Sequence, residues 1–409
     1  MAVVLTARYA VVQSSYWSAF CLIVNFASVY LLAHGLSNAQ IGVLLAVAGA
    51  VATVVQPIVA GIVDRSRVPL RLWLVLGGIV VAALAAALLP QGEGFLTAVT
   101  YGLLVALIQV VQPLVNSLGM AAVAQGFRVN FGVARACGSV TFALLSVGAG
   151  ALIAATSAKA VALLLIVAAA VFVAGSATFI LRHPAAPATD YAASSVSRKR
   201  AAAEAAGEPA VGHRDPARLS DPPALDRRAW KLFSLLLVGI MLGMTSHTLV
   251  NAFLFQIVDF HGGDAGAMGL AAMVAAMVEL PTMVFFERLI SRWTPGTLLI
   301  VGGIGFAVKN LAAYLAPNLA VLYLSQVLQF AGFGLVIPAT VYYVNRLFPA
   351  ALRVRGQAYI TMTFSAGSVV GALIGGVVLD AAGVPMLLLV GTVAATVGAV
   401  FVWFGADRR

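Results

Sequence analysis

The sequence predicts an all-α integral membrane protein whose twelve transmembrane helices form two pseudo-symmetric six-helix bundles. Three observations predict it. Hydrophobic residues make up 62% of the 409 and charged residues only 9%, whereas a soluble domain carries about 25% charged residues. Apolar windows of about 20 residues recur, each long enough to cross a bilayer. One long polar stretch then divides the chain into near-equal parts.

The spans follow in order, each bounded by a turn signal or a basic residue. The first, near 11–33, is too long for a secretory signal core and stops at His34-Gly35. The second, near 39–63, is followed by Arg65, Arg67 and Arg71, and the third, near 70–90, stops at Pro90-Gln91-Gly92. The fourth and fifth, near 95–124 and 130–154, flank Arg128, and the sixth, near 158–181, ends on Arg182. The seventh and eighth, near 229–256 and 264–287, flank Gly262-Gly263, and Arg288 and Arg292 follow the latter. The ninth, near 296–315, stops at Ala316-Pro317-Asn318, and the tenth, near 318–345, precedes Arg346, Arg353 and Arg355. The last two, near 356–380 and 384–405, flank Ala382-Gly383, and Arg408-Arg409 closes the chain.

Arginine falls almost wholly on one side of this arrangement, with Lys159 alone in a loop on the other. The positive-inside bias then places both termini and the polar stretch in the cytoplasm, in a multi-pass inner-membrane protein. The net charge of +10 reflects that bias, so no nucleic-acid partner is expected. Residues 183–228, with Arg198-Lys199-Arg200 and Asp221-Pro222-Pro223, lack an apolar period and cannot bury a core. They read as a flexible cytoplasmic linker between bundles at 1–182 and 229–409. Cys21 and Cys137 lie in separate spans and read as small packing residues. A monomer is expected, with no metal or cofactor; the proton gradient would supply the energy.

The halves echo one another. Gln56-Pro57 and Asp64-Arg65 in the second span, with Gly77-Gly78 after it, correspond to Pro281 and Glu287-Arg288, then Gly302-Gly303. Thr141-Phe142 corresponds to Thr363-Phe364. Paired six-helix repeats place a transport site between them near the midplane. This organisation resembles the major facilitator superfamily, and the resemblance implies its fold and alternating access. Asp64-Arg65 stands where that family has a gating loop, so both are gating candidates, although Ala60 replaces the leading glycine and Ser66–Arg71 lacks the later glycine and paired bases. Asn130–Phe142, through Phe131-Gly132, Arg135 and Gly138-Ser139, resembles the fifth helix of the lactose permease and phenylpropionate permease group of proton symporters. Met277–Leu280 resembles that group's eighth helix.

Charge at bilayer depth is costly and points to function. Glu279 is the one carboxylate placed well inside a span, and its apolar setting suits a group that exchanges protons at working pH. Lys309, mid-span, calls for a partner, with Glu279 the candidate. His247 titrates near neutrality and joins these two as a proton-coupling candidate. The resemblance implies that Arg135 anchors sugar hydroxyls, and its planar fork also fits a carboxylate. Amide and hydroxyl stripes suggest a wet cavity for a polar solute: Gln112 with Asn116, Asn25, Asn251, Gln326 with Gln329, and Tyr359, all taken as substrate-binding candidates. Any one of these is equally an interhelical hydrogen bond. The permease relay does not carry over, because Asn116 stands for its helix-four glutamate, and Gln329 and Gly332 for its helix-ten histidine and glutamate.

The expected function is secondary active transport, namely proton-coupled uptake of a sugar, nucleoside or small organic acid. Uniport stays open. The alternative is proton-antiport efflux of drugs or toxic solutes, against which stands the fifth span, near 130–154, with Gly148-Ala149-Gly150 and no proline. No enzyme motif is visible.

Overall fold

The computed structural model describes residues 2–181, 227–349 and 352–407, and among these it is helical without strands. The first half comprises α1 (Ala2–Phe20), α2 (Ala27–Ala33), α3 (Asn38–Arg65), α4 (Leu70–Leu88), α5 (Phe95–Ala124), α6 (Phe131–Ala155) and α7 (Lys159–Thr178). The second comprises α8 (Arg227–Ala252), α9 (Leu254–Phe260), α10 (Ala265–Ile290), α11 (Pro295–Tyr314), α12 (Leu319–Val327), α13 (Phe333–Leu347) and α14 (Arg353–Gly405). Most of the stretch expected as a linker lies outside the described residues. Its last two positions correct the expectation: Arg227 and Arg228 already belong to α8. The first span is likewise longer than expected, because helix runs from Ala2 through polar Thr6 and Arg8.

Ten described helical stretches are long and apolar enough to cross a membrane, and the bent pair α1–α2 makes eleven. The stretch α14 has 53 residues, about 80 Å at 1.5 Å per residue, far more than the roughly 30 Å of a hydrocarbon core. Gly383, at φ 73° and ψ −174°, breaks it. The twelfth expected span rests on dividing α14 there.

Helix starts are set by side-chain caps. Ser37 accepts from the Gln40 amide at 3.2 Å, and Gln40 Oε1 accepts from the Ser37 amide at 2.9 Å, a reciprocal box opening α3. Asn130, Asp264, Thr294 and Asn318 likewise accept from the third residue of α6, α10, α11 and α12. Each such cap stabilises its helix by about 1 kcal/mol. Prolines recur at matching places, Pro57 in α3 with Pro281 in α10, and Pro113 in α5 with Pro338 in α13.

Three spans are broken. The first passes through a π-helical turn, Cys21–Asn25, and bends by 47° before α2. The seventh breaks at Phe253 (φ −115°, ψ 25°) between α8 and α9. The tenth breaks at a 3-10 turn, Leu328–Phe330, ahead of Gly332 (φ −88°, ψ −95°). Such breaks free backbone groups inside the membrane, which is tolerated only where protein or a wet cavity satisfies them. The Ala252 carbonyl beside the second break accepts from Ser28 Oγ of the other half.

The halves close on each other at one end. A Cβ on Gly42 of α3 would lie 2.3 Å from the Ala372 oxygen of α14, and one on Gly376 would lie 2.3 Å from the Asn38 oxygen. The crossing of α6 with α10 is as tight: the same distances are 2.4 Å from Gly150 to the Ala265 oxygen and 2.0 Å from Gly269 to the Ser146 oxygen. Only glycine permits such backbone approach. Asp380 of α14 accepts from the Asn38 and Ala39 amides at 3.2 and 2.7 Å, capping α3 across the interface, and Gln256 donates to Asn38 Oδ1 at 2.8 Å. Along α3 the contact then fades. A Cβ on Gly49 meets only Val369, at 3.8 Å, and one on Gly61 meets nothing within 4 Å. The two halves are sealed at the Asn38–Asp380 end and part toward the Arg65 end. One apolar core fills the first half and continues into the seal through Leu249, Phe253 and Met268. A second, around Phe233, Phe306, Val336 and Phe348, fills the other half.

Candidate functional site

In the second half, three chemically distinct side chains meet at the break of the tenth span. Gly305 brings α11 there: a Cβ on it would lie 2.6 Å from the Ala331 backbone. One turn further along α11, the Lys309 ammonium donates to Gln329 Oε1 at 2.5 Å. Gln329 Nε2 in turn donates to Glu279 Oε1 of α10 at 2.8 Å. The polarity is fixed by chemistry, because an ammonium only donates. The amide oxygen must therefore face Lys309 and the amide nitrogen must face Glu279. Lys309 and Gln329 are 2% and 3% exposed, whereas Glu279 is half-buried. The expected direct Lys309–Glu279 pair is corrected: Gln329 stands between them, and Lys309 acts on Glu279 through space.

His247 of α8 stacks on Phe333, with ring centroids 4.5 Å apart, and lies edge-on to Phe306. Asn251 donates to its Nδ1 at 3.1 Å and to its carbonyl at 2.8 Å. The Lys309 charge also acts on this ring. His247 thus lies beside the relay, packed between two aromatic rings.

The first half presents a second group. The Arg135 guanidinium of α6 sits over Trp17 of α1, 3.9 Å from the ring centroid, and donates to Ser139 at 2.7 Å. A π-face this close stabilises the cation. Trp17 donates to Gln13 at 3.2 Å, and Gln13 Nε2 donates to the Tyr9 hydroxyl at 2.7 Å and to Asn116 Oδ1 of α5 at 3.3 Å. Tyr9 and Gln13 are wholly buried. The charges of Arg135 and Glu279 act on each other across the interface.

The structure therefore brings Glu279, Lys309, Gln329, His247 and Asn251 together, and it sets Arg135 with Asn116 opposite them. Asn25 ends the π turn half-buried, with its Nδ2 buried and unbonded, and Gln112 is half-buried on α5. Gln326 turns into the second bundle: it is wholly buried and donates to Ser325. Tyr359 is a correction. It sits edge-on to Trp230 and Phe233 at the far end of α8 and is 41% exposed, so it stacks at the rim rather than at the relay. Asp64 and Arg65 lie exposed at the parted end of α3. Gln13, Trp17 and Tyr9 were missed. The i, i+4 spacing of Tyr9, Gln13 and Trp17 was the available signal, obscured by starting the first span at residue 11. Cys21 and Cys137 are free thiols, and Cys21 contacts Ser146 Oγ at 3.2 Å. Among the described residues no group of His, Cys, Asp and Glu has the makings of a metal site.

The model of the MFS_1 like family matches residues 7–389. The chain belongs to this family of the major facilitator superfamily. As a transporter of that family it is similar to the maltose permease of Geobacillus stearothermophilus, 29% identical over 369 residues, which cover 88% of this chain and 84% of that protein. It is also 29% identical to the multidrug efflux pump LfrA of Mycolicibacterium smegmatis over 164 residues, only 37% of this chain and 31% of the pump. The fold is shared with a variant of the nucleoside transporter NupG (TM-score 0.73, 13% identity, 98% of both chains covered). It is shared as well with the peptide transporter POT in complex with sulfate (TM-score 0.62, 14% identity, 96% and 93% covered). The transporter is thus a multi-pass membrane protein.

Proposed function

We propose that the transporter is a proton-coupled symporter that takes up a small polar solute by alternating access. The observation that carries this reading is the chain Glu279–Gln329–Lys309, held at a helix break and facing Arg135 from the other half. A half-buried carboxyl at membrane depth is a group that can exchange a proton. An amide with fixed polarity links it to an ammonium without neutralising it by direct contact. Solute held between Arg135 and the relay would touch both halves, so binding and protonation would bias the same rocking motion.

With the termini in the cytoplasm, the sealed Asn38–Asp380 end faces outward and the parted end faces inward. Asp64 and Arg65 then stand at the open inner mouth, where they would engage on closure. Similarity to the maltose permease along most of both proteins supports uptake over efflux.

The test is transport in proteoliposomes. Glu279→Gln is expected to abolish pH-gradient-driven accumulation while leaving solute exchange intact. Undiminished uphill uptake by that variant would overturn the coupling role.

A further inference from the structure

The two clusters differ in charge, and the difference constrains the solute. Three charged side chains lie at this depth, and Glu279 feels the charge of both Lys309 and Arg135. The elements packed against α10 add Cys137, Tyr323, Tyr342, Tyr343, Arg346 and Asp259. Of these, Tyr323 and Asp259 lie toward the sealed end, and Arg346 lies in the last turn of α13. The ring of His247 faces Phe333, Phe306, Asn251 and the field of Lys309. With Glu279 ionised, the centre therefore holds two cations and one anion.

Among the described residues the second cation has no anionic partner of its own. Lys309 is 2% exposed and donates to a neutral amide. Arg135 uses one face on Trp17 and one N–H on Ser139. A guanidinium offers five N–H donors in a planar fork that matches a carboxylate, so the edge beyond Ser139 is available to solute. Excess charge at membrane depth is costly unless compensated.

Resting on the reading of this centre as the transport site, we infer that the solute is a small monocarboxylate, carried with one proton in an electroneutral step. The charge count closes. The empty carrier holds Glu279 ionised, Lys309 and Arg135, a net single positive charge. The loaded carrier holds Glu279 protonated, the two cations and the carboxylate, again a single positive charge. The proton sits on Glu279 during transit and leaves to the inner solution with the anion, and no covalent bond changes apart from that O–H. A neutral sugar or nucleoside would instead load a doubly positive centre, and its transport would respond to voltage.

The experiment uses the full chain in proteoliposomes, with valinomycin and potassium setting the voltage and an imposed inward proton gradient. The probes are radiolabelled lactate, succinate, maltose and uridine. Lactate is expected to accumulate with the proton gradient, at a rate unchanged by an inside-negative potential. Arg135→Lys, which keeps the charge and loses the fork, is expected to weaken lactate affinity about tenfold without creating voltage dependence. Proton-driven accumulation of maltose or uridine that quickens with inside-negative voltage, with lactate inert, would overturn the monocarboxylate assignment and leave symport standing. Lactate uptake indifferent to both the proton gradient and Glu279→Gln would overturn proton coupling itself. Thermal stabilisation by lactate that Arg135→Lys leaves unchanged would remove Arg135 from the site.

Discussion

The seal at the Asn38–Asp380 end can be tested through a thiol already present in the chain. At the α6–α10 crossing, a Cβ on Gly269 would lie 2.0 Å from the Ser146 oxygen and 2.8 Å from its carbon. Ordinary contact is about 3.5 Å, so Gly269→Ala must part the two helices there by roughly 1.5 Å. Both sides are backbone, and no rotamer change relieves the overlap. Overpacking of this kind costs about 1–3 kcal/mol, and the cost falls on the sealed state alone. The ratio of parted to sealed molecules should rise by about 5- to 150-fold. Cys21 reports it, being wholly buried and in contact with Ser146. The assay is alkylation of the purified protein by N-ethylmaleimide, with Cys21 and half-buried Cys137 resolved by mass spectrometry. Cys21 should react slowly in the parent and faster in Gly269→Ala by a factor in that range, with Cys137 as the internal reference. Gly376→Ala perturbs the other crossing, at 2.3 Å from the Asn38 oxygen, and touches neither Cys21 nor Ser146. It should raise Cys21 reactivity as well if the two crossings open together. Acceleration confined to Gly269→Ala would refute a shared seal, and no acceleration in either folded variant would refute the steric argument.

Other substitutions follow from the same geometry. Asp380→Asn removes the charge that caps α3, worth about 1 kcal/mol, and should raise Cys21 labelling by about fivefold. The cap is present while Asp380 is ionised, so the seal should weaken as the pH at that end falls through the Asp380 titration and hold above it. Gln329→Leu deletes both hydrogen bonds of the relay and strands the Lys309 ammonium, lowering stability by about 1–3 kcal/mol. Adding Lys309→Met should recover much of that loss in thermal unfolding, and strict additivity of the two changes would contradict the bridge. Gly305→Ala, whose Cβ would meet the Ala331 backbone at 2.6 Å, should push the 328–332 turn off α11 and slow transport while the protein stays folded by circular dichroism.

The fold was legible because burial in lipid imposes simple rules: long apolar windows, capped ends and basic loops on one side. Glu279, Lys309 and Arg135 stood out as candidates for the same reason, since charge at such depth is costly. The partnerships were not. That Gln329 would stand between Lys309 and Glu279 depends on the 3-10 turn at Leu328–Phe330 and on Gly305 letting α11 approach Ala331, and neither is a periodic feature of the sequence. Tyr359 was assigned by helical spacing to a polar stripe, but its neighbours are set by how α14 meets the start of α8. Gln13 was passed over because a span start had been placed where hydropathy first rises. The helix begins nine residues sooner, at Ala2.

The amide between acid and base also bears on why coupling would work at all. A direct ion pair between Glu279 and Lys309 would favour the charged forms of both, and a carboxylate held that way resists protonation and exchanges protons poorly. Separation without any link would leave a buried ammonium unsatisfied, at a cost of a few kcal/mol. Gln329 avoids both extremes: it satisfies the ammonium through its oxygen and holds the carboxyl through its nitrogen. A glutamate accepts that N–H whether ionised or protonated, so in the proposed cycle the geometry survives the proton's arrival and departure. Protonation also removes the field between Glu279 and the two cations, one in each half. A field that spans the interface acts on how the halves sit together, which is the motion that alternating access requires.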